Sequence, residues 1–118
     1  MIELIDDQQE DIVAFRMDST VSEAELKPLL FYMDNKLKYH KKLRLLIEYV
    51  DSGGFSMDTL LEDFNYQFGN WLNYQKIAIV TFNEWLSQAH QLSYKLEGPC
   101  LKSFPYAKKL EAKQWVRQ

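Results

Sequence analysis

Apolar residues along the chain switch between two spacings, and the switches mark the elements. Ile2 to Asp6 and Ile12 to Met17 are short apolar-rich runs separated by Asp7-Gln8-Gln9-Glu10-Asp11, the pattern of two strands joined by a hairpin turn. Ser22-Glu23-Ala24-Glu25 then reads as a capping box, with Ser22 as N-cap and Glu25 reaching back. Leu26, Leu29, Leu30, Met33 and Leu37 follow at helical spacing. Pro28 falls inside that stripe, where its ring opposes a carbonyl one turn earlier and tightens or kinks the helix. Lys36, Lys38, His40, Lys41 and Lys42 bring positive charge to the negative pole of the helix dipole.

Leu43 to Val50 is apolar on both faces except at Arg44 and Glu48, which predicts a central strand covered on both sides. Asp51-Ser52-Gly53-Gly54 breaks it, and Ser56 or Asp58 caps a second predicted helix. Met57, Leu60, Leu61, Phe64, Phe68, Trp71 and Leu72 form its stripe. Lys76 to Phe82 predicts another buried strand. Asn83 caps a third helix carrying Trp85, Leu86, Ala89, Leu92 and Leu96. After Gly98-Pro99 comes a short strand, Cys100 to Phe104. Pro105 suits the first position of a last helix that packs through Ala107, Leu110, the Lys113 stem and Trp115. The predicted order is β-β-α-β-α-β-α-β-α. It implies an α/β fold with a mostly parallel sheet, an antiparallel edge hairpin and helices packed on the sheet. No repeat or linker interrupts residues 1–118, which read as one domain.

Composition narrows the function classes. The chain has 118 residues, 47% hydrophobic and 26% charged, with a net charge of −3, so it is globular and lacks a broad electrostatic hold on nucleic acid. No secretory signal, lipidation box or membrane-length apolar run is visible, and Cys100 is the lone cysteine, so the expected location is cytoplasmic. His40, His90 and Cys100 are scattered without metal-binding spacing, and no GxSxG elbow is present, so no metal, cofactor or catalytic residue is expected.

Three places remain for function. Glu48 interrupts a buried strand, so it is either a satisfied structural carboxylate, with Arg44 four residues back as a partner to consider, or the polar point of a pocket. Ser52, Gly53, Gly54 and Ser56 lie where a strand gives way to a helix, a place that favours anions but here lacks a nucleotide-binding motif. The aromatic residues are the most informative: three Trp, seven Tyr and seven Phe. Phe64, Phe68, Trp71, Phe82, Trp85 and Leu86 cluster on two consecutive predicted helices, and Phe31, Tyr32, Tyr66 and Tyr94 fall off their stripes. Single members are ordinary core, but together they point to an apolar pocket between the second and third helices.

Four segments resemble the SpoIIAA-like family, a bacterial group of STAS-type domains related in shape to CRAL-TRIO lipid carriers. They are Met1-Ile2-Glu3, Leu43-Arg44-Leu45-Leu46-Ile47-Glu48, Lys76-Ile77-Ala78-Ile79-Val80-Thr81 leading to Trp85, and Phe104-Pro105 with Ala112 and Trp115. The resemblance implies the fold and no enzymatic activity. Its carrier-like relatives imply an apolar ligand and membrane contact. Its anti-sigma-factor antagonists imply a phosphorylated serine in an Asp-Ser-Ser-Gly-type motif, whose place here holds Asp51-Ser52-Gly53-Gly54 with Ser56 nearby. The expectation is a non-enzymatic domain binding a hydrophobic or lipid-like ligand through the six clustered residues, with peripheral contact at the inner membrane face and a homodimer among its assemblies. The alternative is a regulatory protein-interaction module that uses the Ser52–Ser56 loop.

Overall fold

A computed structural model describes residues 2–5, 11–18, 22–50, 71–81 and 100–118. Five strands form one sheet in the spatial order of the sequence: β1 (Ile2–Ile5), β2 (Ile12–Met17), β3 (Leu43–Tyr49), β4 (Tyr74–Thr81) and β5 (Cys100–Pro105). β1 runs antiparallel to β2, and every later pair is parallel. The mostly parallel sheet with an antiparallel edge hairpin is thus the predicted one. The predicted third helix and the second up to residue 70 lie outside the described residues, while Trp71 and Leu72, the end of the second helix's predicted stripe, fall in a 3-10 turn, Trp71–Asn73, with Leu72 exposed instead of packed.

Two helices pack on opposite faces of the sheet. Helix α1 (Glu23–Leu37) begins at the expected capping box: Ser22 accepts from the Glu25 amide at 3.2 Å, and Glu25 Oε1 accepts from the Ser22 amide at 3.4 Å. The Ser22 contact holds the Glu25 carboxyl below its ordinary pKa. Leu26, Leu29 and Met33 are buried against Val13, Phe15, Leu45 and Ile47, with Leu30 and Leu37 partly buried. Pro28 sits on the exposed side of a helix assigned as continuous through it. On the other face, helix α2 (Lys109–Arg117) buries Ala112 and Val116 against Leu46, Ala78, Val80 and Phe104.

Two boundaries differ from expectation. Pro105 closes β5, paired with Thr81, instead of opening the last helix. A 3-10 turn, Tyr106–Lys108, intervenes, so α2 starts at Lys109. The inward positions shift accordingly: Ala107 and Leu110 are exposed, and Ala112 and Val116 take the core. β4 also starts earlier than predicted, at Tyr74. The register jumps from Leu43↔Tyr74 to Arg44↔Lys76, which leaves Gln75 as an extra residue in a bulge. That bulge sends both Tyr74 and Ile77 to the α1 face, breaking the two-residue alternation that sequence reading relies on.

Candidate functional site at the carboxyl edge of the sheet

Because β2 to β5 are parallel, their carboxyl ends share one edge, and Glu48 lies near it. One transverse row of the register holds Glu3, Arg16, Glu48, Val80 and Phe104, so Glu3, Arg16 and Glu48 are direct cross-strand neighbours on the α2 face. Glu48 is 1% exposed and is the one buried carboxylate among the described residues. An ionised carboxylate in such a place is tolerated only with opposite charge and hydrogen bonds around it. Arg16 donates from Nε to Glu48 Oε2 at 2.9 Å, and its Nη2 approaches the same oxygen at 2.9 Å. Arg16 Nη1 reaches outward to Glu3 Oε1 at 3.0 Å. Lys109, the first residue of α2, brings Nζ to 2.6 Å from Glu48 Oε1, a second ion pair on the same carboxylate. The hydrogen bond and the charge of Glu48 raise the Arg16 pKa above its ordinary value.

Arg44 is not the partner of Glu48. It faces the other end of α2, where Nη1 donates to the Val116 carbonyl at 2.9 Å and Nε lies 3.2 Å from Asp11 Oδ2. Lys76 Nζ donates to the Trp115 carbonyl at 3.0 Å and rests over the Trp115 ring at 5.0 Å. Two cations therefore serve the carbonyl end of α2, as its dipole favours. Glu48 offsets the unfavourable cation at its amino end. The cluster fixes the helix to the sheet, and both oxygens of Glu48 are already engaged. Chemically it is a structural device, the first of the two readings its sequence position allowed.

The other face of the same edge differs. Thr81 is 2% exposed and Ser103 is 5% exposed, and among the described residues neither hydroxyl has a hydrogen-bond partner. Their strand neighbours Ile77, Ile79 and Leu101 belong to the α1-side core. A buried hydroxyl without a partner costs about 1–3 kcal/mol, so the pair is an unrepaid expense in an otherwise apolar layer. Further along this face, an apolar concavity of about 280 Å³ opens between β1 and α1, lined by Ile2, Leu4, Phe15, Pro28 and Leu29 with Glu3 and Glu25 at its rim.

Of the residues predicted to bind ligand, Trp71 opens a 3-10 turn, Trp71–Asn73, and its backbone alone is described. Phe64, Phe68, Phe82, Trp85 and Leu86 lie outside the described residues, as do Ser52, Gly53, Gly54, Ser56 and His90. Phe31 and Tyr32 are exposed, as their off-stripe positions predicted. Among the described residues no group of three or more His, Cys, Asp or Glu side chains is placed to hold a metal ion, and Cys100 is exposed. No helix among them is long and apolar enough to cross a membrane.

Sequence reasoning missed Arg16, Lys109, Thr81 and Ser103. Arg16 carried a signal, as the one charged position within Ile12–Met17. The hydroxyl residues carried none, because Thr and Ser are unremarkable in strands.

The sequence matches a family model across nearly the whole chain: the model described as SpoIIAA-like aligns with residues 12–117. The chain belongs to the SpoIIAA-like family. Comparison of this SpoIIAA-like domain with curated proteins and with solved structures gives no significant match. The matched span begins at the first residue of β2 and ends with the last residue of α2. It thereby includes Arg16, Glu48 and Lys109, and leaves the edge strand β1 with Glu3 outside.

Proposed function

We propose that this SpoIIAA-like domain is a non-enzymatic binding module for a hydrophobic, lipid-like ligand, held by Phe64, Phe68, Trp71, Phe82, Trp85 and Leu86. The observation that carries the reading is topological. β3 and β4 are parallel neighbours, so the two aromatic-rich connections that follow them both leave from the same carboxyl edge. In open α/β sheets ligands gather outside the carboxyl ends of strands. Phe82 follows directly on the last residue of β4, and Trp85 stands three positions further on. The buried charge at this edge is committed to holding α2, which leaves no uncommitted buried carboxylate there among the described residues. Native mass spectrometry of the purified protein, with extraction and identification of co-purifying lipid, tests the proposal. The expected result is a retained apolar molecule whose retention falls in Phe82→Ala and Trp85→Ala variants. A ligand-free protein that takes up neither fatty acid nor acylglycerol and ignores liposomes would remove the reading.

A second reading has its own support. Tyr49 ends β3, and the Val50 amide donates to the Met17 carbonyl at 2.9 Å, so the last described residue before Asp51–Ser56 is held at the same edge as Glu48. A regulatory module that changes protein partners when Ser52 or Ser56 is phosphorylated fits that position and the family. Ser52→Asp and Ser56→Asp variants test it by altering which partner is captured. Identical capture by both variants and the unmodified chain argues against it.

A further inference from the structure

We infer that Thr81 and Ser103 form a polar recognition point for an uncharged, carbonyl-bearing head group, such as an ester or amide, on an otherwise apolar ligand. The inference rests on the reading that the domain takes an apolar ligand, and adds the chemistry of that ligand's head.

Three observations converge. The two hydroxyls are almost wholly buried and have no hydrogen-bond partner among the described residues, and buried polar groups in folded proteins are rarely left so. They stand on one face of adjacent strands at the carboxyl edge: Thr81 pairs with Pro105, and Ile79 pairs with Ser103. Strand spacing and rise put their backbones roughly 8 Å apart on one face, near enough for both hydroxyls to border one head group. Finally, Phe82 continues directly from Thr81 into the aromatic segment proposed to hold the ligand body.

The charge distribution selects a neutral head. Among the described residues, the buried ones that share this face are apolar or hydroxylic, whereas Arg16, Glu48 and Lys109 cluster on the opposite face. A carboxylate or phosphate placed against two neutral hydroxyls would be desolvated without a counter-charge, which is strongly unfavourable. A carbonyl oxygen needs only donors, and a hydroxyl supplies one.

Binding of three probes to the full chain and to Thr81→Val and Ser103→Ala variants tests this: 1-monooleoylglycerol with a neutral ester head, oleate with a charged head, and 1-octadecene with none. The expected result is that each substitution weakens monooleoylglycerol roughly five- to tenfold, the range of one hydrogen bond, and leaves octadecene unchanged. Thermal unfolding of the ligand-free variants should show a Tm equal to or above that of the unmodified chain, because each substitution removes an unpartnered hydroxyl. A clear fall in Tm shows that the hydroxyls are already partnered and overturns the inference. So does unchanged monooleoylglycerol affinity, or oleate binding tighter than the ester, while octadecene still binds. If the unmodified chain binds none of the three probes, the apolar-ligand reading itself fails.

Discussion

Removing Arg16 and removing Glu48 break the same ion pair but leave different remnants. Without Glu48, Arg16 and Lys109 are left partly exposed and can rehydrate, their side chains being 33% and 26% accessible. Without Arg16, a carboxylate that is 1% exposed keeps only Lys109. Arg16→Met should therefore destabilise the fold by about 3 kcal/mol and Glu48→Gln by about 1 kcal/mol. Urea denaturation of the two variants reads the difference, and equal losses would contradict the burial argument. Tyr74 gives a residue-scale pH dependence. Burial, followed by the nearby charge of Asp34, pushes its phenol up to about 12. Because the folded pKa is raised, this contribution to stability is complete below the ordinary tyrosine value of about 10 and is lost as pH rises toward 12. Tyr74→Phe should flatten that part of the alkaline denaturation curve. Glu48 was legible in the sequence as a misplaced charge, but its partner was not. Periodicity pointed four residues along the same strand to Arg44, whereas the register supplies Arg16 from a neighbouring strand, and register is not written in spacing.

Helices α1 and α2 are anchored by different means. The stability of α1 draws on its own first turn, where Ser22 and Glu25 satisfy amides that have no intrahelical partner. Ser22→Ala should cost about 1 kcal/mol, seen as a lowered denaturation midpoint, and a midpoint unchanged by the substitution would show that packing alone holds the helix start. Protonating Glu25 removes half of the box, so its contribution is present at neutral pH and lost as pH falls through its lowered pKa. In contrast, α2 has no side-chain cap hydrogen bond at its N-terminus and is held from the sheet. Nine helical residues and the four-residue step from Arg44 to Glu48 each span about 13 Å, so one strand meets both ends of one helix. This match explains why α1 was legible and the start of α2 was not. The capping box is a local code, while the beginning of α2 is set by where Glu48 lies and by Pro105 completing β5.

At the scale of the molecule, strand order follows sequence order, with no reversal among the described strands. Ligand crevices of doubly wound folds form where the order reverses. The ligand site proposed above therefore rests on the carboxyl edge and not on a switch point in strand order. Alternation and runs of apolar residues were enough to place the strands in one mostly parallel sheet, because each strand pairs with its neighbour in sequence. The same order predicts where the fold is most persistent. β3 and β4 are paired on both sides, whereas β1 is a four-residue edge strand with Glu3 and Leu4 exposed. Amide hydrogen exchange should be slowest at Leu45–Ile47 and Ala78–Val80 and faster by orders of magnitude in β1. Comparable protection across all five strands would mean that the edge is covered by something not seen in this arrangement.

The way α2 is fastened also has a consequence in time. Glu48 precedes Lys109 by 61 residues (109 − 48 = 61). At ordinary elongation speeds, about 5–20 residues per second, that separation lasts roughly 3–12 s. Until Lys109 is made, Glu48 has Arg16 alone of its two cations, and once β4 exists Leu46, Ala78 and Val80 lack the helix that later covers them. A chain released before residue 109 would lack both that second cation and the cover that α2 gives this face.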